Sequence, residues 1–281
     1  MARPVIKDFY MPFFTIVIPT FNSGQTLLSC LTSILNQTET DLEIVIQDGD
    51  STDDTAEIVR SLNMPCIDFL SEPDAGIYDA MNKAINRSLG TWLLFLGSDD
   101  YLYDPHALRN VRKELIRTNA QLVYGDAKIV GDTPWAKDGT IYKGQIRPVE
   151  LFTSNYSHQA TFYHRQIFDN GHRYQTKYRV CADYDFNLFC TAKYRVQYMP
   201  IVVSAFVSGG MSSVETDAAF DKDKWENIIR YFGGKLKAPE FALFIKEFKQ
   251  AGVTYFKRRE FINALTAYTI YLTHKYIHRK R

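Results

Sequence analysis

Several acidic or polar stretches of this 281-residue chain each stand directly after an apolar run. Pro19-Thr20-Phe21-Asn22 follows residues 13–18, Asp48-Gly49-Asp50-Ser51 follows 42–47, and Ser98-Asp99-Asp100 closes the run 92–96. Adjacent carboxylates such as Asp99 and Asp100 suit a hard divalent cation, Mg2+ or Mn2+, which takes oxygen ligands and bridges to phosphate oxygens. A cation on a diphosphate neutralises the charge that develops as the diphosphate leaves. A further acidic pair, Asp183 and Asp185, opens an amphipathic stretch after Cys181-Ala182. It either caps a helix and compensates its dipole, or supplies a general base. Ser51-Thr52-Asp53 reads as a helix cap, and His158-Gln159, opening another apolar run, as a hydrogen-bonded structural pair. The chain contains neither G-x-G-x-x-G nor G-x-x-x-x-G-K-[ST], so phosphates must be held without those glycine-rich loops.

Alternating strands and helices must position these groups. Residues 13–18 form a β-branched, uninterrupted apolar run, as in a strand buried on both faces, and Pro19 is expected to end it. Leu27, Leu28, Leu31, Ile34 and Leu35 share one helical face. Further strands are expected at 42–47, 66–70, 92–96 and 122–124. Helices are expected through Ile58 and Leu62, over 76–89, and from Pro105 to Thr118. This order predicts an open, mostly parallel α/β sheet, whose ligands bind outside the carboxyl ends of its strands. The polar loops fall at those ends. Residues 125–157 read as irregular or as a small antiparallel lobe, 158–163 as a strand, 182–192 as a helix and 196–207 as extended.

The length allows one large domain or two modest ones, and a core that needs no staple. The formal charge is +1, which excludes a globally basic nucleic-acid binder, but it is unevenly spread. Residues 222–281 hold 14 Lys and Arg against five Asp and Glu, whereas 1–221 hold 19 against 27. Cys30, Cys66, Cys181 and Cys190 show no C-x-x-C spacing and read as reduced thiols. The first twenty residues lack the pattern of a signal peptide, and no apolar run reaches 18 residues. A cytoplasmic protein is expected. In the basic C-terminal stretch, Phe261, Leu265, Tyr268 and Leu272 recur at helical spacing, flanked by Lys257, Arg258 and Arg259 and by Lys275, Arg279, Lys280 and Arg281. Such a segment suits a helix lying at an anionic membrane surface, peripheral to its inner face, or a helix packed on the body with a solvated basic end.

Taken together, IVIPTFNSGQTLLSCLTSILNQT (16–38), EIVIQDGDSTDDT (43–55), EPDAGIYDAMNKAI (72–85), LLFLGSDD (93–100) and ADYDFNLF (182–189) resemble an inverting family 2 glycosyltransferase of the bacterial surface-polysaccharide type. The resemblance covers about 13–205. It implies the GT-A fold, a Rossmann-like mixed, mostly parallel sheet flanked by helices, over 12–207, followed by a basic helical region over 208–281. It also implies roles, position by position. Pro19, Thr20 and Asn22 would line the nucleotide pocket, Asp48 would contact the base or its surroundings, and Asp99 would lie by the ribose or diphosphate. Asp100 would be the principal ligand of Mg2+ or Mn2+, and Asp183 the base that deprotonates the acceptor hydroxyl. Asp79 and Asn82 fall in the stretch that borders donor sugar and diphosphate.

Three positions depart from the family pattern. Gly49 stands where a second aspartate is common, with Asp50 one residue later. Ser98 stands where the metal motif often opens with Asp or Asn, and Ala182 where Glu commonly precedes the base. The expected donor is a nucleotide sugar, UDP-linked by commonest usage, and the expected acceptor a saccharide, free or lipid-linked. Two other classes fit part of the pattern. One is a non-catalytic nucleotide-sugar-binding subunit, if Gly49 and Ala182 mark lost function. The other is a sugar nucleotidyltransferase, although Pro19–Gly24 has one glycine and no basic residue where that class carries a basic glycine-rich loop.

Overall fold

The computed structural model describes residues 11–210 and 216–276. Arg279, Lys280 and Arg281 and the first ten residues therefore lie outside the described residues. The strands are β1 (Phe14–Thr20), β2 (Leu42–Asp48), β3 (Ile67–Ser71), β4 (Trp92–Phe95), β5 (Tyr101–Leu102), β6 (Leu122–Val130), β7 (Ile141–Tyr142), β8 (Thr161–His164) and β9 (Val196–Val207). The helices are α1 (Leu27–Leu35), α2 (Thr55–Leu62), α3 (Ile77–Arg87), α4 (Ala107–Leu115), α5 (Gln166–Asp169), α6 (Ala182–Lys193), α7 (Ala218–Phe232), α8 (Ile245–Lys257) and α9 (Phe261–Tyr276).

One mixed sheet runs in the order β3-β2-β1-β4-β8-β6-β9-β5, with β7 paired to β6. The half built from β1 to β4 is parallel, with Ile16 opposite Ile44 and Leu94. Strand β8 enters antiparallel between β4 and β6, and β9 lies parallel to β6. Side chains alternate between the faces of a strand, so one sheet makes two cores. Ile16, Ile18, Ile44 and Ile46 pack with Leu27, Leu31 and Val111. Val17, Val45, Leu93 and Phe95 pack on the other side with Met81, Ala84 and Phe186. The α/β sheet flanked by helices and followed by C-terminal helices is the architecture expected from the pattern.

Several local expectations are corrected. Pro19 does not end β1, because it pairs opposite Gln47 and the strand runs to Thr20. The ladder with β4 has already stopped at Val17, so beyond that point the ring interrupts no pairing on that side. Strand β6 continues to Val130 instead of stopping near residue 124. Gly125 sits at its register shift against β9, where a Cβ would come 2.5 Å from the Ile201 carbonyl oxygen. His158–Ala160 is a 3-10 turn, and the strand starts only at Thr161. The two-residue β5 carries too little pattern to be foreseen.

The C-terminal helices share the second core. Phe152, Phe186 and Leu188 belong to one buried cluster with Phe220, Ile228, Phe232, Phe241 and Phe248. Asp217 accepts hydrogen bonds from Phe220 N at the start of α7 and from Val180 N and Cys181 N just before α6. One side chain thereby pins the entry of two helices.

Candidate active site

Parallel pairing sets the ends of β1, β2 and β4 along one edge of the sheet, and the antiparallel β8 brings its first residues to the same edge. Thr20 Oγ1 donates to Asp48 Oδ1 at 2.8 Å. Asp48 is buried and also accepts from Ser51 N, Ser51 Oγ and Ser71 Oγ. Burial pushes its carboxyl up, but the hydrogen bonds from Ser51, Ser71 and Thr20 outweigh it and hold the group below its usual range. Asp48 thus braces the two loops, and the exposed carboxylate of this loop is Asp50, in the left-handed region at φ 63°. Asn22 is left-handed too, at φ 48°. Its N–H donates to Ser51 Oγ and its Oδ1 accepts from Thr52 N, which ties the first loop to the second. Ser23 and Ser98 hydroxyls meet at 2.8 Å and tie it to the loop after β4.

That last loop opens a cavity of about 390 Å3, whose lining includes Asp99, Asp100, His158, Gln159, Arg179 and Asp183. Two carboxylates converge over Gly97. A Cβ there would lie 2.7 Å from Asp99 Oδ1 and 2.8 Å from Asp100 Oδ2. Asp100 Oδ1 accepts from Val207 N at 2.8 Å and Oδ2 from Gln159 Nε2 at 2.9 Å. Both donors are neutral. Burial first and the charge of Asp99 second push the Asp100 carboxyl up to about 8, so keeping it ionised calls for a counter-charge. These residues fit a hard dication: two carboxylates face one space that a side chain would fill. Among the described residues no third His, Cys, Asp or Glu joins them, which leaves the remaining positions to phosphate oxygens and water.

Asp183, in the first turn of α6, faces the same cavity. Tyr78 OH lies 2.8 Å from its Oδ1, and Asn155 Nδ2 donates to its Oδ2 at 2.8 Å. Asn155 Oδ1 is in turn held by Asn187 Nδ2 at 2.9 Å, and Asn187 Oδ1 by Tyr163 OH at 2.7 Å. A carboxylate gripped on both oxygens keeps one orientation. Asp185 points elsewhere, accepting from Asn227 Nδ2 and Tyr231 OH of α7, so it anchors helices rather than facing the cavity.

The predicted site residues are therefore brought together in part. Asp99, Asp100 and Asp183 share the cavity. Pro19, Thr20, Asn22, Asp48 and Asp50 lie at the ends of β1 and β2, outside its lining. Asp79 and Asn82 on α3 do not line it either. Asp79 accepts from Ala75 N and pairs with Lys83 at 3.6 Å, while both ends of the Asn82 amide bond the backbone of Tyr174. The neighbouring α3 residues Tyr78 and Met81 turn inward instead, as the helical period requires. Tyr78 and Asn155 carry no spacing signal in the sequence, and Gln159 stands beside His158 in a pair whose position reads as structural. His158 likewise lines the cavity, stacked on Phe95 at 5.5 Å, with neither ring nitrogen hydrogen-bonded. Its ring is driven toward the neutral form by burial, against the pull of Asp183.

Comparison with known proteins gives consistent results. The profile of "Glycosyl transferase family 2" matches residues 15–181. A "PGL/p-HBAD biosynthesis glycosyltransferase" of Mycobacterium bovis is 38% identical over 218 residues, covering 75% of this chain and 83% of that protein. A chondroitin synthase of Pasteurella multocida is 38% identical over 109 residues, 38% of this chain and 11% of that protein. Among solved structures, S. aureus TarS 1-349 in complex with UDP-GlcNAc superposes with a TM-score of 0.65 at 14% identity, over 95% of this chain and 92% of that one. The mannosyltransferase PcManGT of Pyrobaculum calidifontis, in complex with GDP-Man and Mn2+, gives 0.57 at 18% identity, over 93% and 74%. At these identities the structural likeness bears on the fold.

Proposed function

This chain belongs to glycosyl transferase family 2, and from that premise we propose that it transfers a sugar from a nucleoside-diphosphate donor to a saccharide hydroxyl, with inversion, in the building of a cell-surface glycan. The reading is carried by one observation: Asp99 and Asp100, which suit a diphosphate-bound cation, and Asp183, which suits a base, face one cavity. The names of the relatives support surface glycan as the product class. UDP-GlcNAc bound to TarS and GDP-Man with Mn2+ bound to the mannosyltransferase support a nucleotide-sugar donor.

In this mechanism Asp183 accepts the proton of the acceptor hydroxyl as that oxygen bonds to the anomeric carbon. The bond from that carbon to the diphosphate breaks on the opposite face, and its electron pair leaves with the diphosphate. Asp99 and Asp100 would hold Mg2+ or Mn2+, which supplies neutralisation of the departing charge. Tyr78 and Asn155 keep the Asp183 carboxylate aimed, a contribution of positioning. Arg179 brings a cationic side chain to the same lining. Pro19, Thr20, Asn22 and Asp50 form the flank on which the nucleoside would rest, with Asp48 bracing it from below. A lipid-linked acceptor fits an enzyme working at the inner face of the cell membrane.

A panel of UDP-, GDP-, dTDP- and CMP-sugars with and without Mn2+, read by thermal shift and by nucleoside diphosphate release, names the donor. A ligand at about a hundredfold excess over its Kd stabilises by about 2.7 kcal/mol. Asp183→Asn is expected to cut turnover by about 10²- to 10⁴-fold while the Mn2+-dependent shift persists. A variant keeping more than about a tenth of wild-type turnover overturns the base assignment.

A further inference from the structure

Helix α9 packs through Ala264, Ala267, Ile270 and His274, all buried. Gly252 of α8 lets it approach, since a Cβ there would already touch Ala267 and Tyr268 at 3.4 Å. Tyr268, expected on the apolar stripe, thus turns toward α8. The outward side is apolar as well. At about 100° per residue, Phe261, Leu265, Leu272 and Tyr276 fall within about 60° of arc, opposite the buried side, with Ile262 at their border. Ile262 is 84% and Leu265 69% exposed. Phe256, at the end of α8, meets Phe261 edge-on at 5.8 Å and extends the surface. A helix on a protein surface normally turns charged and polar groups outward. This one buries one apolar side and presents another.

The charges flanking this face are mostly basic, with Glu260 the acidic exception before α9. Lys257 at the end of α8 and Arg258 and Arg259 in the turn before α9 are exposed, Arg258 being paired with Glu226. Lys275 stands in the last turn of α9, and the sequence continues to Arg279, Lys280 and Arg281 with no Asp or Glu from 261 onward. We propose that this face docks on the anionic surface of a lipid bilayer, α9 lying in the interfacial plane with its outward side chains among the acyl ends and its cations at the headgroups. No helix among the described residues is long and apolar enough to cross a membrane, and α8 holds the inner side of α9. A second copy of the chain is a poor occupant. Two α9 helices paired face to face, in either orientation, set basic ends against basic ends. The proposal rests on this surface alone and is independent of the transferase reading.

The test is co-sedimentation of the full chain with phosphatidylcholine vesicles, with and without phosphatidylglycerol, at low and high salt. Binding is expected only with the anionic lipid at low salt, and salt should release it. The double variant Ile262→Glu, Leu265→Glu is expected to lower the bound fraction by about tenfold, with the same melting curve and the same nucleoside diphosphate release as wild type. Absence of binding, equal binding to neutral vesicles, or equal binding by the variant overturns the proposal. So does a stable dimer in sedimentation velocity that Ile262→Glu dissociates, which would assign the face to a second copy.

Discussion

Gly97 leaves open the space into which Asp99 and Asp100 turn their carboxylates. An alanine methyl would stand 2.7 and 2.8 Å from the two oxygens, closer than van der Waals contact permits, so the two side-chain carboxylates must shift. Gly97→Ala is therefore expected to push the carboxylates apart and abolish the Mn2+-dependent part of the thermal shift given by a donor nucleotide, with the fold still melting cooperatively. An unchanged metal-dependent shift would exclude the Gly97 cradle as the cation's seat. The same scale explains why Asp48 and Asp100, both carboxylates at strand ends, behave in opposite ways. Asp48 is surrounded by hydroxyl and amide donors that favour its charged form, whereas Asp100 is deeply enclosed beside a like charge and is pushed up to about 8.

Helix α6 carries Asp183, and the C-terminal region grips that helix at two points. Asp217 takes the backbone N–H groups of Val180 and Cys181 at its entry, and Asp185 takes Asn227 and Tyr231 one turn further. Burial pushes the Asp217 carboxyl up, but the N–H donors of Val180, Phe220 and Cys181 outweigh it and hold it below its ordinary value of 3.8. A depressed folded value means stability that is present above the unfolded value and lost as pH falls through the folded one. Asp217→Ala is thus expected to cost about 1 to 2 kcal/mol at neutral pH, as loss of a helix cap does. The melting-temperature gap to wild type should close as pH drops below about 4. A gap that stays constant from neutral pH to about pH 3 would mean that the charge of Asp217 contributes nothing.

One buried cluster joins Phe152 and Phe186 to Phe220, Phe232, Phe241 and Phe248, so the C-terminal helices are expected to unfold together with the sheet. A chain cut after residue 207 would expose that aromatic surface to water, at about 25 cal/mol per Å2 of apolar area. It is expected to lose the sharp calorimetric transition of the full chain and to bind a hydrophobic dye. A truncated chain that melts as sharply as wild type would show instead that residues 12–207 fold alone. The buried cluster has members on both sides of the expected division between 12–207 and 208–281.

Local pattern made much of this architecture legible. Uninterrupted β-branched runs can only be satisfied between two layers, and helical periods between them set the crossovers, so strand ends and the polar loops after them could be read in order. Hydrophobic periodicity also pointed to a helix through Phe261, Leu265, Tyr268 and Leu272, because spacing along one chain specifies a helix whatever it packs against. Partners distant in sequence were decided by the tertiary structure. Gln159 reaches Asp100 because β8 runs antiparallel beside β4. Asn155 reaches Asp183 across an irregular segment that carries no period. The same packing turned Asp79 and Asn82 away from the cavity while bringing Tyr78 into it. It also left Phe261, Leu265 and Leu272 outside, once α8 had taken up the other side of their helix. Periodicity records which residues share a face, but what that face meets depends on contacts between segments far apart in the chain, and these form only when the whole chain packs.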